Sequence, residues 1–127
     1  MKKLLALILL GITLLACQSD DDAASSNEGI EGMWELTAIY VDPGNGSGNF
    51  EPASGKTLQF TSQNLVNCNQ GFCFGSITQA TTTGTYNTAA TSIEINNCQA
   101  NYTLDGDVLE LSYFCIEPCV ERYNRVN

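Results

Sequence analysis

The feature that most constrains this chain is a period of two. From Trp34 onward apolar residues recur at alternate positions, and no window there sustains the spacing of an amphipathic helix. Alternation sends successive side chains to opposite faces of a strand, so each strand has one apolar face that other strands must cover. Trp34, Leu36, Ala38 and Tyr40 alternate with Glu35, Thr37 and Ile39, giving a first strand that stops at Asp42-Pro43-Gly44, with a loop over 44–49. Residues 57–61 place Leu58 and Phe60 on one face. The stretch 65–78 holds no single phase and reads either as one bulged strand or as two short ones around Asn69-Gln70-Gly71. Residues 84–88, 92–95 and 100–104 each read as a short strand. Asp105-Gly106 is the pair of a type I′ hairpin turn leading into alternating Leu109, Leu111 and Tyr113, and a last strand covers 119–126. With the doubtful stretch counted once there are eight strands, joined by connections too short for crossovers. The expected fold class is all-β, an antiparallel up-and-down meander closed into a small eight-stranded barrel, since closure removes the free edges.

Ahead of the strands, Lys2 and Lys3 precede the apolar runs 4–10 and 12–15, which end in Leu14-Leu15-Ala16-Cys17. A basic start and a short apolar run make a secretory signal peptide, too short for the ~20 residues of a membrane-spanning helix. The last four residues resemble the lipobox of bacterial lipoproteins, whose cysteine thiol is alkylated with diacylglycerol and becomes the acylated first residue of the mature chain. That resemblance implies lipid on Cys17 and a membrane partner held through it; several acyl chains together give stable anchoring. Asp20, Asp21 and Asp22 follow. Acids in this place resemble the export signal of lipoproteins of the Bacteroidota, which implies the outer membrane and its outer face, with the periplasmic face as the alternative. The expected organisation is a signal peptide over 1–16, a lipidated acidic tether over 17–29 too poor in apolar residues to fold, and one domain over 30–127.

Residues 1–16 carry two lysines and no acid, so their removal takes the formal charge from −9 to −11 and leaves Lys56, Arg122 and Arg125 as the remaining cations. A surface this acidic repels phosphate, so nucleic acid is excluded as a partner. The chain has no histidine and no nucleophile elbow, and Glu35, Glu94 and Glu110 stand opposite the apolar phases as solvated side chains. No catalytic residue, cofactor or metal is expected. Cys68 and Cys73 are spaced C-x4-C and Cys115 and Cys119 C-x3-C, without the matching pairs of a zinc ribbon, and Asp42-x-Gly44-x-Gly46 lacks the acids of a calcium loop.

Gly32-Met33-Trp34 opening the first strand, an arginine near the end of the last, and eight short strands between them resemble the lipocalins and their calycin relatives. The run Gly32-Met33-Trp34-Glu35-Leu36, the glycine loop 42–48 and the ending 119–126 are similar to the lipocalin-like lipoprotein domains of Bacteroidota. The resemblance implies that Trp34 closes the barrel floor beneath an arginine, a cation over an aromatic face. Arg125 is chosen over Arg122 because it shares a face with Tyr123. It also implies a small apolar ligand inside the barrel, lined by Phe60, Tyr86, Tyr102, Leu109, Tyr113 and Tyr123. The bulk of these side chains supports the alternative, a filled barrel acting as a structural or interaction module without ligand. The protein partner such a module would meet is not specified by the sequence. The loop 44–48 reads either as a lid over the open end or as a plain hairpin loop.

With Cys17 lipidated, Cys68, Cys73, Cys98, Cys115 and Cys119 remain as disulfide candidates, an odd number that leaves one thiol free. In a meander every second loop lies at the same end, so Cys98 can reach Cys115 or Cys119 while Cys68 and Cys73 form a local bridge. The rival pattern pairs Cys115 with Cys119 and leaves Cys98 alone; proximity in sequence favours it, although spacing does not determine connectivity.

Overall fold

The computed structural model describes residues 29–127. The segment expected to be signal peptide, the tether up to residue 28 and Cys17 lie outside the described residues. Nine strands follow one another: β1 (Gly32–Val41), β2 (Asn49–Pro52), β3 (Thr57–Phe60), β4 (Leu65–Cys68), β5 (Thr82–Asn87), β6 (Ser92–Ile95), β7 (Cys98–Asp105), β8 (Val108–Tyr113) and β9 (Val120–Val126). All neighbouring pairs are antiparallel, in the order β2-β1-β3-β4-β5-β6-β7-β8-β9, and β1 also pairs with β9, which closes the barrel. The molecule is an all-β, eight-stranded up-and-down barrel with one extra strand.

The extra strand is β2, which lies in and just beyond the stretch read as loop. It pairs with 38–41 of β1, and β3 pairs with 32–35 of the same strand. Both therefore lie along one edge of β1, interrupted at 53–56, where Leu36 N–H donates to the Lys56 carbonyl at 2.9 Å and Ala53 N–H to the Thr37 carbonyl at 3.0 Å. Opposite this break, β1 carries a bulge against β9, where the register passes from Leu36↔Tyr123 to Ala38↔Arg122. A bulge adds one residue and so reverses the alternation. Hence Ile39, not Tyr40, packs toward the core, and Tyr40 meets Phe50 edge to face at 5.5 Å.

The doubtful stretch 65–78 contains one short strand, β4; residues 69–81 form a long loop. The β7–β8 turn is also corrected in detail. Asp105 pairs with Val108, so the two turn residues are Gly106 and Asp107, and only Gly106 has positive φ, at 57°. Glycine first with an ordinary second residue is the requirement of a type II′ turn, not type I′.

Antiparallel order fixes which connections share an end. The turns 61–64, 88–91 and 106–107 lie with the start of β1 and the end of β9 at the floor; the connections 42–48, 69–81, 96–97 and 114–119 lie at the mouth. Between these ends, Trp34, Leu58, Val66, Cys68, Ile95, Ala100, Leu109, Leu111 and Tyr123 all have 0% exposure, with Ile93 and Phe72 close to it. Side chains in this condition adjoin no space wide enough for a water molecule. The barrel interior is filled by its own residues, one of the two conditions that eight strands allow.

The floor is built on Trp34 and Arg125, which face each other in the β1–β9 register. The Arg125 guanidinium carbon lies 4.2 Å from the Trp34 ring centroid. Its nitrogens donate to the Gly29 and Glu31 carbonyls, each at 2.7 Å, and to Asp107 Oδ1 at 3.0 Å, while Trp34 Nε1–H donates to the Ile30 carbonyl at 2.8 Å. Gly32 has φ +117°, and a Cβ there would stand 3.3 Å from Arg125 Nη1. Glycine two residues before the tryptophan thus has a physical cause: the backbone conformation is one that residues with a side chain rarely adopt, and a Cβ would crowd the arginine.

Candidate functional site

At the mouth the inward phase of the strands ends in charge. Lys56 continues the face of Leu58 and Phe60, and Glu121 continues that of Tyr123 and Arg125; at 2% and 4% exposure both are buried. Lys56 Nζ is 3.0 Å from each Glu121 carboxylate oxygen, donates to the Phe72 carbonyl at 2.8 Å, and lies 3.3 Å from the Tyr113 hydroxyl. Tyr113 and Tyr123 both donate to Glu121 Oε2, at 2.6 and 2.5 Å. The three ammonium protons and the carboxylate all have partners, and among the described residues no buried side-chain nitrogen or oxygen lacks one.

Burial pushes Tyr113 and Tyr123 well above the ordinary phenol value, aided for Tyr113 by the Glu121 charge and for Tyr123 by Tyr113 and then Glu121. Both remain neutral donors at physiological pH. Among the described residues Cys68 is the free thiol and is buried beneath this group; loss of hydration raises its pKa, against a lesser lowering by a backbone hydrogen bond and by Lys56. A thiol so placed stays out of the thiolate form that nucleophilic chemistry uses.

The lid over this network is the loop 69–81. Between leaving β4 and entering β5 it crosses the mouth: its Phe72 carbonyl binds Lys56, the Phe72 ring lies 5.3 Å from that of Tyr113, and Cys73 is disulfide-bonded to Cys98 at the start of β7. The second disulfide joins Cys115 to Cys119 within the β8–β9 loop. Neither sequence reading holds in full. The Cys115–Cys119 bridge is present, whereas Cys68 makes no local bridge with Cys73. Cys68 points into the barrel opposite Leu58, and Cys73 is carried with the lid to a strand three places along the sheet. The glycine loop 42–48 is not this lid. Asp42 Oδ1 accepts from the Gly44 and Gly46 amides at 2.8 and 3.2 Å, folding the loop on itself.

Two cavities border the lid. One, of 360 Å³, is lined by Phe74, Asn97, Gln99, Tyr113, Phe114 and the disulfide residues Cys73, Cys98 and Cys115. The other, of 200 Å³, reaches the Lys56–Glu121 pair past Leu36, Ile39 and Phe74. Of the residues expected to line a ligand, Tyr113 borders the larger cavity. Phe60 and Tyr86 meet edge to face at 5.2 Å, and with Tyr102, Leu109 and Tyr123 they pack into the filled core. Glu35 and Glu94 are exposed, and Glu110 pairs with Arg122 at 2.7 Å on the outside.

Sequence reasoning missed Lys56, Glu121, Phe72 and Phe74. The signal for the first two was available: two residues before Leu58 and two before Tyr123, each shares a phase that is otherwise inward. Compared with known proteins, the chain matches no family model, no curated protein and no solved structure.

Proposed function

We propose that this chain is a lipid-anchored protein of the bacterial cell envelope whose filled, lipocalin-like barrel is a rigid support for a small-molecule recognition site at its mouth. The observation that carries the reading is a contrast of space. The innermost residues, from Trp34 and Leu58 to Leu111 and Tyr123, adjoin no water-sized void, while the disulfide-bound mouth holds a 360 Å³ cleft, within the size range of ligand sites. The anchor is supported by the signal peptide and lipobox-like residues ending at Cys17, and two disulfides suit a compartment outside the cytoplasm. The lipocalin likeness is supported by the eight-stranded closure and by Arg125 lying over Trp34. A non-enzymatic role is supported by the raised pKa of the buried thiol and by the full pairing of the buried carboxylate.

A second reading keeps an apolar ligand inside the barrel. It is favoured by Phe72, a lid residue whose side chain is buried in the core, so that lifting the lid vacates its place. One experiment separates the two. Isotopically labelled protein, extracted from the membranes of its producer, is titrated with small-molecule fragments and followed by backbone amide resonances. Mass spectrometry of its N-terminal peptide reads the acyl chains on Cys17. Shifts confined to residues 73–74, 97–99 and 113–115 are expected. Shifts centred on Phe60, Tyr86 and Leu109 would place the ligand in the barrel and sink the mouth reading.

A further inference from the structure

The mouth cleft does not end at the rim. A second depression, of 120 Å³, runs down the outer face of β6 and β7, lined by Ser92, Glu94, Asn101 and others, and it shares Gln99 and Phe114 with the larger cleft. Gln99 and Asn101 stand at period two on the outer face of β7, both exposed, and Asn97, in the turn before it, borders the larger cleft with Gln99. Phe114, on the neighbouring chain segment, is a phenyl ring 71% exposed between the two depressions. We infer that these two adjoining depressions bind a neutral oligosaccharide, with one sugar ring against Phe114 in the mouth cleft and the next along Gln99 and Asn101. The inference rests on the mouth being the recognition site.

The chemistry selects this class of ligand. No residue lining the larger cleft is charged, and the one acid of the second depression, Glu94, accepts hydroxyl protons and repels anions. Carboxamides both donate and accept, which matches a hydroxyl group that does the same, and two of them at period two suit a ligand with hydroxyls at regular intervals. An apolar ligand would displace ordered water from those amides without replacing its hydrogen bonds, which a hydroxylated ligand restores. A phenyl face complements the C–H face of a sugar ring, as aromatic walls generally serve the apolar side of a ligand. Two adjoining depressions that share residues fit a chain longer than one ring.

The test is calorimetric titration of the full-length protein in detergent micelles with neutral glucan and mannan oligomers, from monomer to tetramer, beside an oligogalacturonate as anionic control. Affinity is expected to rise about tenfold from monomer to trimer and to fall about tenfold in Phe114→Ala and in Gln99→Ala, with no binding of the galacturonate. Both side chains are exposed, so these variants retain the fold, which circular dichroism verifies. Neutral sugars that bind both variants as well as the native chain would overturn the inference. If no neutral oligomer binds while other fragments still shift the mouth amides, the ligand class is overturned and the mouth reading stands. If nothing shifts those amides, both are overturned.

Discussion

The two ends of the barrel are closed by similar parts under different conditions. Each sets a cation against aromatic rings and backbone carbonyls: Arg125 over Trp34 at the floor, Lys56 within 5.6 Å of the Phe72 and Tyr113 ring centroids at the mouth. At the floor the counter-ion, Asp107, is largely exposed, so solvent shares the charge. At the mouth Lys56 and Glu121 are both deeply buried, with side chains 3% and 5% exposed. A half-solvated pair loses little when one member goes, whereas a buried pair leaves the other charge stranded. Breaking the mouth pair should therefore cost more than breaking the floor pair, and the Phe72 carbonyl on Lys56 extends that dependence to the lid.

The largest effect should come from breaking the buried pair. Lys56→Met preserves apolar volume but strands the Glu121 carboxylate, and urea denaturation should show a loss of about 3–5 kcal/mol. Adding Glu121→Gln, which still accepts the two tyrosine hydroxyls, should restore at least half of that loss; failure to restore any would mean that packing, not charge, closes the mouth. Replacing Cys73 and Cys98 together by serine frees the lid from β7 and should cost about 3–4 kcal/mol by chain entropy, with faster alkylation of Cys68 as the sign of opening. Unchanged Cys68 labelling would show that the ion pair alone holds the lid.

At the floor, Arg125→Met should cost only about 2 kcal/mol, and it should leave Cys68 protected. A larger loss than that of Lys56→Met would reverse the ranking of the two ends. The smallest effect near neutrality, and one confined to the mouth, is alkaline. Tyr113 and Tyr123 have raised pKa values in the fold, so above the ordinary value of 10.0 the unfolded chain releases their protons first. Stability should be flat with respect to these groups below that pH and fall as pH rises above it, and Tyr123→Phe should lessen the fall. Denaturation midpoints measured across this range would check it.

Legibility in the sequence follows the same division. The floor could be read because Gly32-Met33-Trp34 and an arginine near the chain's end carry the lipocalin resemblance, and phase with Tyr123 singled out Arg125 although it lies on the far strand. The strands could be read wherever alternation was unbroken. The extra strand β2 could not, since Asn49-Phe50-Glu51-Pro52 holds one apolar residue that meets Tyr40 and Arg122 on the outside. The first strand was read past its bulge because an inserted residue leaves no mark on composition. The lid escaped for a different reason. Gly71-Phe72-Cys73-Phe74 has the alternation of a strand, but its partners, Lys56 just before β3, Cys98 of β7 and Tyr113 of β8, are brought together by tertiary structure alone.

Met33 stands beside Val126 in the register, so both described ends of the chain emerge at the floor, and the other connections there are the short turns 61–64, 88–91 and 106–107. Those turns set how the strands align. Of the mouth connections, 42–48 and 114–119 add no residue to the core, so their length and composition can vary at less cost than those of 69–81, which carries Phe72. The barrel thus separates shape from surface: a frame set by short turns below, and above it loops that can change without redrawing that frame.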